Sequence, residues 1–176
     1  MKFSEDILKT FDLTPNFEKE PVNIMQLGEM LHFMNGCAER IVQKSEKYRK
    51  TNDADEQLDC MDIVTAKLND FVQVFKDIII FLRKEEGTYK TGASLRYCVS
   101  SYDTFEFRQT EEEMIFLREI LLRNEITHDY FNRELHQQKL VWIMENCSTG
   151  ARDVYAHLYD YCKELNLLEK YVDKNA

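Results

Sequence analysis

The chain has 176 residues, with 32 acidic and 23 basic side chains, a net charge of −9 and 44% apolar residues. That length suits one domain, and that apolar fraction supports a packed core, which excludes wholesale disorder. With 5 Gly and 2 Pro the chain is too poor in turn formers for a turn-dense all-β protein. Its longest apolar run, Ile78-Ile79-Ile80-Phe81-Leu82, falls far short of the roughly 20 residues of a membrane span. The N-terminus lacks the apolar stretch of a secretory signal, so a cytoplasmic protein is expected. Cys37, Cys60, Cys98, Cys147 and Cys162 are odd in number, widely spaced and free of any CxxC. They read as reduced, buried thiols rather than disulfides or zinc ligands. Acidity is greatest over residues 101–150, with 10 acids against 5 bases. Such a surface repels a nucleic-acid backbone, so any contact with phosphate has to be local or built from more than one chain.

Residues 1–22 read as a lead-in segment, because Pro15 and Pro21 disfavour a continuous helix, although Phe3, Ile7, Leu8, Phe11 and Leu13 could form a short docking helix. Residues 23–171 are expected to form one helical-bundle domain, and 172–176 a tail. Asn23 and Gln26 suggest a capping box for a first long helix, with a stripe at Leu27, Leu31, Met34, Ala38, Ile41, Ser45 and Tyr48. Gly28 and Gly36 cost helix propensity there and suggest close approach of another backbone. The basic run Lys44, Lys47, Arg49 and Lys50 reads as a solvated helix end that suits the dipole. After a polar turn at 51–55, a second helix is expected from Glu56 to Glu86. Its stripe is Leu58, Met61, Thr65, Leu68, Val72, Phe75, Ile79 and Leu82, widened by Val64, Phe71 and Ile78. Two such helices joined by about five residues must lie antiparallel.

Gly87 and Gly92 stop the second helix. A short helix is expected over 93–100. The aromatic residues Tyr89, Tyr97, Tyr102, Phe105 and Phe107 fit a segment pinned onto the bundle better than a stacking surface for bases. Thr110 and Glu113 form a second capping box, and Met114, Leu117, Ile120 and Leu121 supply the apolar face of the next helix. Further helices are expected from His128 to Asn146, and from Ser148-Thr149-Gly150 through Leu165 and Leu168 to Tyr171. The sum is an all-α antiparallel bundle of about five helices.

One segment stands apart: Leu121-Leu122-Arg123-Asn124-Glu125-Ile126-Thr127-His128-Asp129-Tyr130. On an unbroken helix Arg123 and His128 would lie about 140° apart around the axis and could not act on one group. A turn at 124–127, with Thr127 capping the following helix, lets both point into one cleft. An Arg and a His meeting there suit a phosphodiester. The guanidinium offers a planar fork of donors to phosphate oxygens, and the imidazole passes a proton near neutral pH. A symmetric dimer would supply two of each at one interface.

Arg123-x4-His128-x-Tyr130, with Asn124 directly after the Arg, resembles the RX4HXY motif of HEPN-domain proteins, and the string LRNEITHDYF is similar to the motif region of the HepT toxin group. The resemblance covers residues 121–131 as sequence and 24–146 as architecture. It implies a HEPN-like bundle and a metal-independent endoribonuclease, needing no cofactor, of a toxin–antitoxin or defence system. Arg123 and His128 would be catalytic, and Asn124 and Asp129 would support the motif, Asp129 by orienting His128. Tyr130 would be the residue adenylylated by a cognate nucleotidyltransferase antitoxin. RNA would be the substrate and a homodimer through the motif face the working form. Two other readings stay open: a non-catalytic HEPN-like subunit that binds a nucleotide or partners a nucleotidyltransferase, and a helical interaction module.

Overall fold

The computed structural model describes residues 24–89, 91–126 and 133–168. Six helices fill these segments, with no strand among the described residues: α1 (Ile24–Lys50), α2 (Ala54–Glu85), α3 (Leu95–Tyr102), α4 (Glu111–Ile126), α5 (Arg133–Asn146) and α6 (Gly150–Glu164). The protein is an all-α helical bundle.

The α1–α2 hairpin carries the bundle. At ~1.5 Å per residue its arms are roughly 40 and 50 Å long, and three residues join them. Asp53 caps α2 by accepting hydrogen bonds from the backbone N–H groups of Asp55 (2.9 Å) and Glu56 (3.0 Å), which satisfies donors that the first helical turn leaves unpaired. Leu27, Leu31, Met34, Ala38, Ile41 and Ser45 of α1 are all buried, as their spacing predicts. The basic end of α1 does more than face solvent: Arg49 donates to the Met144 carbonyl at 2.5 Å and so caps the end of α5.

Two expectations for this hairpin are corrected. The buried line of α2 runs through Cys60, Val64, Leu68, Phe71, Phe75, Ile78 and Leu82, whereas Leu58 is 53% exposed. The residues expected to widen the stripe are its centre. Hydrophobic periodicity sets the existence of a face, but the neighbours that cover it set its middle. Among the described residues Gly28 and Gly36 approach nothing: a Cβ at either would meet no atom of these within 4 Å. The close approach occurs at Gly150 instead, where a Cβ would lie 2.5 Å from Phe116 Cβ and 2.6 Å from the Glu112 carbonyl oxygen. The first turn of α6 is thereby set directly against α4.

α2 ends in a Schellman motif, with Gly87 at φ 72° and the N–H groups of Gly87 and Thr88 donating to the carbonyls of Lys84 and Arg83. The short helix α3 starts two residues later than expected, where Ser94 accepts from the Tyr97 N–H at 3.2 Å. Tyr102, Phe105 and Phe107 pin the following segment to the bundle. Tyr102 packs edge-on to Phe75 and Phe107. Phe105 stacks on Tyr161 at 4.5 Å, with the Arg83 guanidinium 5.1 Å from its ring. The Thr110–Glu113 capping box forms reciprocally, with both bonds at 3.1 Å. Phe116 of α4 meets Phe71 of α2 edge-to-face at 5.4 Å, and burial of each such ring contributes about 1.5–3 kcal/mol.

The last helix stops at Glu164 rather than continuing to Tyr171. Asn166 takes a left-handed conformation (φ 56°), and the Leu167 N–H bonds back to the Cys162 carbonyl. Asn at this position tolerates the left-handed well, and the turn returns Leu167 to the core, 6% exposed. The five cysteines are buried and free. Burial pushes the thiols of Cys98, Cys147 and Cys162 up to about 11, 12 and 12, so they stay neutral. No described helix is long and apolar enough to cross a membrane.

The glycines make a test of sign. Gly150→Ala should destabilise the protein by about 1–3 kcal/mol through overpacking against Phe116. Gly36→Ala should stabilise it by roughly 0.5–1 kcal/mol through helix propensity. Urea unfolding of both variants measures this, and changes of the same sign would contradict the packing described for α6.

Candidate functional site

Helix α4 places the polar residues of interest. Its inward stripe is Glu113, Phe116, Leu117, Ile120 and Arg123, spaced three and four apart, and every member is buried. The stripe therefore begins with a carboxylate and ends with a guanidinium. Both signs suit the helix dipole, which favours an acid in the first turn and a base in the last.

At the α4 N-terminus, Glu113 is fully buried. It accepts from the Tyr102 hydroxyl, from the Thr110 N–H, and pairs with His157 Nδ1 at 2.7 Å. Burial pushes its carboxyl above the usual range, and the hydrogen bond from His157 opposes this. The His157 ring stacks on Phe107, with centroids 5.1 Å apart. His157 was not foreseen from the sequence, since it is 44 residues from Glu113. The one available hint was Glu113 itself, a cap-box acid three and four residues before the core positions Phe116 and Leu117. Midway along α4, Glu119 is 4% exposed and pairs with Lys139 of α5 at 2.8 Å.

At the C-terminal end, Arg123 is 4% exposed and its Nη1 donates to Asn69 Oδ1 of α2 at 3.1 Å. Burial lowers its proton affinity, although a guanidinium stays charged at any working pH. Its Nε finds no hydrogen-bond partner among the described residues. On α5, His136 lies four residues before the buried Leu140, so it too begins an inward stripe. Its Nε2 is enclosed and likewise without a partner among the described residues. Burial, and secondly the Arg123 charge, hold its imidazole below the usual range. Arg123 near the end of α4 thus acts electrostatically on His136 near the start of α5.

Of the residues expected to act, Arg123 is buried on Asn69 and Asn124 is half-buried on α4. The helix continues through 124–126, so the turn expected at 124–127 does not begin at Asn124. The backbone there keeps its i→i−4 hydrogen bonds, as the good helix formers before it favour. His128, Asp129 and Tyr130, with the proposed cap Thr127, lie outside the described residues. His136 and Asn69 were not foreseen. The signal for His136 was its spacing from Leu140 and Ile143, while Asn69 is 54 residues from Arg123 and carried none.

No family model, curated protein or solved structure matches this chain.

The position of His136 predicts a pH effect. Its folded state favours the neutral ring, so its contribution to stability is complete above the unfolded value of about 6.5 and is lost as pH falls through the lower folded value. Wild type should therefore lose more stability than His136→Gln between pH 7.5 and 5.5 in urea unfolding. Identical losses would mean that the imidazole is not held neutral by the fold.

Proposed function

We propose that the protein is a HEPN-like, metal-independent endoribonuclease that acts as the toxin of a toxin–antitoxin or defence system. The reading rests on the motif Arg123-Asn124-x3-His128-x-Tyr130, and the observation that carries it furthest is the buried Arg123, whose guanidinium has no carboxylate partner among the described residues. A guanidinium held without a counter-charge is a ready donor for a phosphate oxygen. In the proposed reaction the ribose 2′-oxygen attacks phosphorus and loses its proton to a base. The P–O5′ bond breaks, and the leaving oxygen takes a proton, giving a 2′,3′-cyclic phosphate and a 5′-hydroxyl. His128 is the proton carrier, and Arg123 stabilises the charge on the phosphorane. A homodimer through the motif face would supply a second His128 for the other proton transfer. Asp129 would orient His128, and adenylylation of Tyr130 by a cognate nucleotidyltransferase would silence the site.

A second reading has its own observation. Arg123 is 4% exposed and anchors α4 to α2 through Asn69. A structural anchor of this kind fits a non-catalytic HEPN-like subunit or an interaction module, and the acidic surface suits a basic protein partner better than naked RNA.

Incubating the purified protein with tRNA in EDTA separates the two. Cleavage with cyclic-phosphate ends, lowered at least ~100-fold by His128→Ala, is expected of the nuclease. Arg123→Lys should also lose activity while remaining folded by circular dichroism. Equal cleavage by wild type and His128→Ala, or none by wild type, would remove the nuclease reading.

A further inference from the structure

We propose that Nε2 of His157 is a phosphoacceptor nitrogen, with Glu113 as the positioning carboxylate behind it and an acyl phosphate as the donor. The site draws on three helices. Glu113 of α4 is fully buried and accepts from the Tyr102 hydroxyl of α3, from the Thr110 N–H at 3.1 Å and from His157 Nδ1 of α6 at 2.7 Å. Three donors around one carboxylate hold it as the acceptor, so Nδ1 carries the ring proton. In the neutral imidazole that leaves the lone pair on Nε2. The His157 side chain is 23% exposed, and its Nε2, unlike that of His136, is not shut off from solvent. The ring stacks on Phe107, with centroids 5.1 Å and planes 23° apart. The imidazole is thus fixed in tautomer and in orientation, with a nucleophilic lone pair open to water.

The surroundings decide what such a nitrogen takes. A bound metal needs three or more protein ligands, and the described residues bring no such group of His, Cys, Asp and Glu together. Covalent transfer needs one nitrogen only. Bond formation at Nε2 puts a positive charge on the ring, and Glu113 is the counter-charge already in place. An acyl group on an imidazolium open to water is soon hydrolysed, whereas a phosphoryl group on the same nitrogen lasts. The step balances without an acid. The Nε2 lone pair forms the N–P bond. The bond from phosphorus to the acyl oxygen breaks, and its electron pair leaves on a carboxylate, which needs no proton at neutral pH. The product is a phosphoimidazolium whose Nδ1–H still meets Glu113. A poorer leaving group would need a proton, whereas both hydroxyls of this cluster are engaged, Tyr102 with Glu113 and Thr110 with Asp153.

Asp153 restrains the reaction. It lies one turn before His157 on α6, so the two share a face, and its charge acts on Glu113. The same charge repels an incoming phosphate. The inference uses no residue of the Arg123–Tyr130 motif and is independent of the ribonuclease reading.

Acetyl phosphate is the probe, added to the full chain with no partner protein, since Nε2 is open to small molecules. Intact-mass spectrometry should show the gain of one phosphoryl group, stable in alkali and lost in acid as a phosphoramidate bond is. Fragmentation should place it on His157. His157→Gln should abolish the label while the chain stays folded by circular dichroism. In wild type, the ring nitrogen signals of His157 in nuclear magnetic resonance should report the Nδ1–H tautomer. Glu113→Gln should lower the labelling rate roughly tenfold or more and release that tautomer, neither of which a purely structural carboxylate would do in molecules that remain folded. Asp153→Asn should raise the rate severalfold. No phosphoryl gain in wild type, equal labelling of His157→Gln, or a wild-type ring protonated at Nε2 instead of Nδ1 overturns the proposal.

Discussion

The inward face of α4 has to bury a carboxylate near one end and a guanidinium near the other, with a second acid between them on an adjoining position. Each of these groups is costly to take out of water, and each recruits a different neighbour. Glu113 binds Tyr102 of α3 and His157 of α6; Glu119 binds Lys139 of α5; Arg123 binds Asn69 of α2. The apolar residues between them do the rest, with Phe116 wedged against Phe71 and against the Cβ-free backbone at Gly150. Four helices are thereby registered against one. Apolar packing is tolerant of small slips, whereas a hydrogen-bonded buried charge is not, which gives the bundle a specific arrangement rather than merely a compact one.

The two ends of α4 differ in a way that bears on function. The N-terminal end is satisfied: three donors surround Glu113, and an aromatic ring covers the imidazole beside it. The C-terminal end is not. Arg123 and His136 each retain an enclosed nitrogen without an acceptor among the described residues, and they carry the same sign of charge when both are protonated. The unmet end is also the end from which the chain leads into the Arg123–Tyr130 motif.

Much of the helical architecture was legible in the sequence because it is governed by contacts three and four residues apart. The α1 stripe, the antiparallel hairpin, the Thr110–Glu113 box and the stop at Gly87 all rest on local geometry, and all appear in the structure. Leu58 lies on an apolar stripe of α2 but is 53% exposed. Gly28 and Gly36 are glycines without a close neighbour, while Gly150, which has one, looked like an ordinary helix start. The apolar spacing of Leu165 and Leu168 continues a helical pattern that Asn166 ends by turning left-handed. For Gly150 the neighbour that gave the pattern meaning was out of view, whereas at the last helix a single left-handed residue overrode the apolar spacing.

Alone, the sequence determined that the chain is helical, that Thr110 and Glu113 cap one helix and Gly87 ends another, and that its cysteines are buried thiols. Tertiary structure decided which charges meet. Asn69 and Arg123 are 54 residues apart, and Glu113 and His157 are 44 apart. Helix periodicity operates over one or two turns and is written in adjacent residues. The pairing of distant polar groups depends on how whole helices are rotated about their axes, and that rotation is set only when all their faces are packed at once.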